Sequence, residues 1–227
     1  MSAIQIQGNA SGTGTVTVAA PNTNSNRTVS LPDATTTLVG TDVTQTLTNK
    51  TLTSPSMTSP TISGSPVMGA SVITSATAVA STSGTSIDFT GIPSWVKRIT
   101  VLFNNISTTG TSNYIIQIGA GSIATTGYLS NSNYVNNAAN SCTGAASTQG
   151  FLINSDGAAV NVYSGMATIA TLGSLTWICS GTINKNSTAG GFFAGSVTMG
   201  GTLDRVRITT AGGTDTFDAG SINILYE

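Results

Sequence analysis

The chain has no histidine in its 227 residues, and only 7% of them are charged. Its 7 Lys and Arg stand against 8 Asp and Glu, a net charge of −1. Without histidine there is no Ser–His–Asp triad, no Cys–His pair, no His-ligated metal and no histidine pH switch. The 2 cysteines, Cys142 and Cys179, lie far apart and cannot build a four-ligand zinc or iron–sulfur site. The absence of a basic cluster argues against nucleic acid as a partner. No apolar run approaches the ~18 residues of a membrane span, so no membrane insertion is expected. The first residues lack the basic and apolar stretches of a secretory signal. The expectation is a chain that stays in the cytosol or leaves by a route not written at its N-terminus; both cysteines are read as buried free thiols, with a disulfide between them left open.

What fills the sequence instead is Ser, Thr, Asn, Ala and 26 Gly. Both Trp, all 5 Tyr and all 6 Phe lie beyond residue 84, so the core-forming residues belong to 84–227. Strands are expected at 85–91, 97–106, 113–119, 149–154, 159–169, 175–183, 192–199, 203–210 and 221–226. Val206 and Ile208 alternate with Arg205 and Arg207, the pattern of a half-buried strand. Ile99, Val101 and Phe103 alternate with Thr100, Leu102 and Asn104, so that strand is expected to be covered on both faces. Turn signals fall at Thr109-Gly110, Asp156-Gly157, Gly190-Gly191 and Gly212-Gly213. No window has a helical period. The expected fold is all-β, with a C-terminal antiparallel β-sandwich, jelly-roll-like, over 84–227.

Residues 1–42 alternate weakly and hold too few large apolar side chains for a core, so this segment must pack on a partner. Residues 43–83 carry a different signal. Leu47, Leu52, Met57, Ile62, Val67 and Val72 recur every five residues among Thr, Ser, Asn and Gly, with Pro55 and Pro60 in step. Five matches neither the helical 3.6 nor the strand 2, and proline at that spacing forbids both a continuous helix and a central strand. One apolar residue in five cannot close a core in one chain. Several chains around an axis can each send that residue inward, so the period predicts a symmetric stalk, with these six side chains as a trimer core; a flexible Ser/Thr/Pro linker is the rival reading of the same residues.

Candidate chemistry is sparse. Tyr128, Asn131, Asn133, Tyr134 and Asn136 place two aromatic rings among amides, a composition suited to a glycan, on what reads as a polar loop. The same residues also suit a structural loop or a subunit contact. Trp95 and Trp177 read as core, and Phe192-Phe193 as rings pointing to opposite sides of a strand. Arg205 and Arg207 are expected to pair with Asp204 or Asp218. Asp215 and Asp218 read as carboxylates of a hairpin loop, with a calcium ion there left open. Gly8, Gly12 and Gly14 have no following Lys or helix and do not make a phosphate loop. No catalytic residue, metal ligand or cofactor is expected.

Three stretches carry a resemblance. Asn22 through Asp33 resembles the "PNTN…RT…LPD" stretch of tailed-bacteriophage fibre and virion structural proteins. Gln45 through Pro55 is similar to the "TLTNKTLTSP" motif of phage fibres, and Gly213 through Glu227 to the C-terminus of β-sandwich domains in the same proteins. The resemblance implies a homotrimer on a virion, assembled in the bacterial cytoplasm. Residues 1–42 would anchor it to a tail, baseplate or capsid protein, 43–83 would form an intertwined β-structured stalk, and 84–227 would meet a bacterial surface glycan. A head fibre or capsid decoration protein, a fibre-borne polysaccharide-degrading enzyme and a secreted adhesin are the rival expectations.

Overall fold

The computed structural model of the chain describes residues 11–15, 17, 22–26, 28, 46–49, 51–61, 73–136 and 141–227. The chain divides into two units, Met1–Thr61 and Ile62–Glu227. Among the described residues there is no helix.

In the first unit the described part of the five-residue repeat is not extended. Asn49, Ser54 and Ser59 adopt left-handed backbone conformations, with φ of 53°, 49° and 48°. Each lies two residues after an apolar position, Leu47, Leu52 and Met57, so the backbone repeats with the same period as the sequence. An L-residue in this region costs about 1–2 kcal/mol. At Ser54 and Ser59 the following proline also disfavours the right-handed helical region. The next two repeats place Gly64 and Gly69 at the same phase, outside the described residues together with Ile62, Val67 and Val72. Glycine is the residue that adopts a left-handed backbone without steric cost.

The second unit is built of antiparallel strands. In chain order they are β1 (Thr74–Ser75), β2 (Val79–Ala80), β3 (Ser86–Thr90), β4 (Arg98–Thr108), β5 (Tyr114–Ala120), β6 (Ser122–Ile123) and β7 (Leu129–Asn136). There follow β8 (Ser141–Ser147), β9 (Phe151–Leu152), β10 (Tyr163–Gly173), β11 (Thr176–Lys185), β12 (Ala189–Thr198), β13 (Arg205–Thr210) and β14 (Phe217–Tyr226). A 9-stranded sheet runs β1-β14-β4-β10-β11-β12-β7-β8, with β2 also on β14. A 5-stranded sheet runs β3-β13-β5-β6, with β9 on β5. The sandwich begins before residue 84: β1 and β2 pair with the last strand, and Ser81 is buried with its hydroxyl donating to Ala219 O.

The inner faces of the two sheets share one core. Ile99, Val101, Ile169, Trp177, Phe193 and Ile224 enter it from the larger sheet, and Ile87, Ile116, Ile118, Phe151, Val206 and Ile208 from the smaller. Tyr114 lies edge-on to Tyr163 at 5.4 Å, and Tyr128 edge-on to Phe151 at 5.0 Å, the geometry aromatic quadrupoles favour. The long strands β4 and β14 bend at irregular register. The shift in β14 lies at Gly220, with φ of 92°, and β4 answers with Asn105, with φ of 51°. Asn is the non-glycine residue that tolerates this conformation best, and here Ser164 Oγ accepts its N–H and donates to its Oδ1.

Several expectations are corrected. Residues 128–137 were expected as a loop, but 129–136 form β7. Its buried positions are Ser130, Ser132 and Tyr134, so polar side chains face in and the apolar alternation is reversed. Ser130 bridges the sheets, with its Oγ accepting the Leu152 N–H at 2.8 Å. Gly190-Gly191, read as a turn, lies inside β12, where a Cβ at Gly191 would come within 2.7 Å of Asn133 O. Trp95 is exposed and rests near Tyr226 at 6.0 Å, because it follows Pro93 in a surface turn. Cys142 is exposed on the edge strand β8; Cys179 is buried, and both are free thiols. Asp218 lies on β14, not in a loop.

Burial sets the alkaline limit of the fold. Desolvation pushes the Tyr114 and Tyr128 phenols up to about 12, and the Tyr163 phenol also upward. The unfolded chain loses these protons near the ordinary value of about 10, while the folded chain keeps them. Stability is therefore full below about pH 10 and falls as pH rises toward 12, on the order of 2–3 kcal/mol per tyrosine. Absorbance at 295 nm and circular dichroism followed together are expected to show phenolate appearing with unfolding, not before it.

Candidate functional site: the polar face of the smaller sheet

The two outward faces of the sandwich differ in chemistry. On the smaller sheet the central strand β13 sets its odd residues outward. Arg207 pairs in register with Asp88 of β3 on one side and Gln117 of β5 on the other. Its guanidinium grips Asp88 with two hydrogen bonds, Nε to Oδ1 at 2.6 Å and an Nη to Oδ2 at 3.0 Å, and Ser86 Oγ donates to Oδ2 at 3.2 Å. Gln117 is buried and donates its amide to Gln149 O at 2.8 Å. Thr209 donates to Thr85 O at 2.8 Å.

These side chains border a cleft of about 290 Å³, lined by Ser86, Ile115, Gln117, Gln149, Arg207 and Thr209 among others. The cleft offers hydroxyls, amides and one guanidinium whose charge Asp88 balances, over a single isoleucine. That donor and acceptor set suits an uncharged ligand rich in hydroxyls, held by hydrogen bonds. Facing charges also tune the arginine: the Asp88 hydrogen bond raises the Arg207 pKa against the opposing effect of burial.

Beside the cleft, Arg205 donates through Nε to Asp204 Oδ1 at 2.7 Å, and the Gly121 N–H donates to both oxygens of the same carboxylate at 3.1 Å. Arg205 first, and the Gly121 amide after it, hold the Asp204 carboxyl below its ordinary value. The partners expected from sequence are thus divided. Arg205 takes Asp204, Arg207 takes Asp88, and Asp218 instead accepts the hydroxyl of Ser107. Asp215 accepts the Ser112 N–H at 2.8 Å, fixing the 109–113 loop. Among the described residues no group of three or more His, Cys, Asp or Glu could hold a metal ion.

The tyrosine and asparagine residues singled out from sequence do not form one surface. Tyr128 is wholly buried. Its hydroxyl accepts the Ile118 N–H at 2.8 Å and donates to Ala124 O at 3.1 Å. Tyr134 points inward, with the Lys185 ammonium 4.4 Å from its ring centre, while Lys185 also pairs with Asp156 at 2.5 Å. Burial works to lower the Lys185 pKa, and Asp156 with Tyr134 outweighs it and raises it. Asn131 and Asn133 lie on the opposite, outward side of β7, and Asn136 is half-buried at its end. The pleat separates the rings from the amides, so an aromatic platform ringed by Asn131 and Asn133 is not assembled within one chain. Gln117, Gln149 and Asp88 escaped the sequence reading because nothing local marks them: Asp88 and Arg207 stand 119 residues apart. The one usable signal was Arg207 on its half-buried strand.

The carboxylate of Asp204 gives the site a measurable signature. A lowered folded pKa means its contribution to stability is present above the unfolded value, and is lost as pH falls through the folded one. Carboxyl-detected NMR titration is expected to place Asp204 below the ordinary aspartate value. Arg205→Gln is expected to return it toward the ordinary range, while a midpoint unchanged by that substitution would remove Arg205 as the cause.

No protein-family model, no curated protein and no solved structure matches the chain.

Proposed function

We propose that the chain is a homotrimeric fibre protein of a tailed-bacteriophage virion, structural and adhesive. Residues 1–42 attach it to a tail, baseplate or capsid protein, residues 43–83 wind three copies into a stalk, and the sandwich meets a bacterial surface glycan. The observation that carries this reading is the coincidence of two periods. Leu47, Leu52 and Met57 are 45%, 56% and 60% exposed in the single chain, and a left-handed residue follows each of them at the same distance. A backbone that repeats its bends every five residues presents those apolar side chains at regular intervals, and only other chains can bury them. Each buried leucine or methionine is worth about 1.5–3 kcal/mol, so six such positions in three chains outweigh the cost of the left-handed residues.

The polar cleft beside Gln117 supports the adhesive half of the reading. Its volume approaches the lower end of small-ligand sites, about 300 Å³, and its lining matches the hydroxyls of a sugar. Three such sites on one trimer raise avidity through effective concentration without any strong single contact.

Sedimentation of the full chain is expected to give three times the 22.7 kDa chain mass. Leu52→Asp with Met57→Asp is expected to shift it toward one chain mass; an oligomer indifferent to both substitutions would overturn the stalk. Ser54→Gly with Ser59→Gly is expected to raise the dissociation temperature, and Ser54→Val to lower it, since a β-branched residue fits the left-handed region worst. Gold-labelled antibody is expected to mark the virion, and label on the tail or baseplate would favour receptor binding. Capsid labelling would instead favour a head fibre or decoration protein, and no labelling would sink both. On a surface-glycan array, Gln117→Ala is expected to weaken binding about tenfold, in line with one lost hydrogen bond.

A further inference from the structure

The outward face of the 9-stranded sheet is the opposite of the polar face across the sandwich. Register places Gly144, Asn133, Phe192, Thr182, Met166 and Leu102 in one row across six strands, from β8 to β4. The next row is small: Ala146, Asn131, Ala194, Ser180, Thr168 and Thr100. Leu129 and Ile178 lie in the row beyond, which ends at Arg98. Leu129 is 73% exposed, Phe192 55% and Met166 49%, with Ile178 and Val135 also open. Arg98 is the one charged side chain in these rows, and it is paired with Glu227.

This exposure is not an accident of one residue. On β7 the usual alternation is inverted, with Ser130 and Ser132 inside and Leu129 and Val135 outside. In a sheet with one wet face, the apolar set belongs on the dry side. A strand that puts its leucine and valine outward is patterned for cover on that side.

We infer that this face is buried against a second copy of the same chain, with Phe192 as the central knob. Three features select that occupant. With Cys142, Val135, Gly190, Asn184 and Ser164 as a fourth row, six strands about 4.8 Å apart and four rows about 7 Å apart give a face of roughly 800 Å², the area one partner contributes to a standard stable interface. The face is nearly uncharged, so like meets like without repulsion, and a charged partner would gain nothing from it. Knob and hollow lie side by side: Phe192 borders a depression of about 460 Å³ floored by Gly190 and Gly191 and edged by Ser164, Thr182 and Asn184. One copy's ring fits the neighbour's glycine hollow, and the neighbour's ring fits the next copy's, around a closed three-fold arrangement. Aromatic residues seated in such pockets are the usual energetic centres of interfaces. The inference rests on the reading that copies of the chain associate, and adds where the sandwiches touch.

The test uses the full chain in a Cys142→Ser background, where Cys179 is buried and silent. One thiol is placed in the small row by Ala194→Cys, and a reference thiol on the outer face of the other sheet by Thr90→Cys. Both positions are exposed in the single chain. Reaction with a soluble aromatic disulfide is followed alongside sedimentation. The Ala194→Cys thiol is expected to react at least about tenfold more slowly than the Thr90→Cys thiol in the oligomer, since thiol reactivity follows access. Adding Phe192→Asp is expected to restore the fast rate while the stalk keeps the copies together. An oligomer with a fast Ala194→Cys thiol overturns this inference and leaves the stalk standing. A monomer with a fast thiol overturns both. A monomer with a slow thiol also overturns it, showing that a segment of the same chain covers the face.

Discussion

The two-residue period of the pleat is the constraint on which the globular unit depends. Every strand must send alternate side chains to opposite sides, and both sheets send one set into the same core. With so few charges available, no strand is held in register by ion pairs alone. Register follows from which alternate set is apolar, and the backbone ladders complete it. Ile99, Val101 and Phe103 on β4 and Val206 and Ile208 on β13 show the rule at its simplest. Once these are inside, the outward faces have no freedom left, and their chemistry is whatever the other half of each strand carries.

Those two outward faces are therefore different by construction. The smaller sheet carries both arginine–aspartate pairs around the Gln117 cleft, where hydrogen bonds and balanced charge dominate. The larger sheet carries Phe192, Met166, Leu129 and Ile178 among Ala, Ser and Thr, with almost no charge. One face is suited to a hydroxylated ligand and the other to another protein surface.

The five-residue repeat obeys a separate logic. It has no pleat to obey, and Leu47, Leu52 and Met57 among its described residues are exposed. The regular left-handed positions show that the backbone turns at fixed intervals, which a composition of Ser, Thr and Pro alone does not require. The cost of each turn is local, and in the proposed stalk the reward would be intermolecular.

The sequence by itself determined the all-β class, most of the strands and the five-residue period, because each is a local pattern of side-chain size and polarity. It also marked Phe192-Phe193 as pointing to both sides of a strand, since adjacent residues in a pleat must diverge. What the tertiary structure alone decided is which strands were hidden and which side chains meet. β7 and β8 were missed because most of their inward residues, Ser130 and Ser132 on β7 and Thr143, Ala145 and Ser147 on β8, are small and polar or nearly so, and their register comes from neighbours rather than from hydrophobicity. Tyr128 and Tyr134 looked like surface chemistry because Asn surrounds them in sequence, yet the pleat turned their rings inward. The Asp88–Arg207–Gln117 row spans residues brought together only by strand pairing, and pairing is a property of the whole sheet.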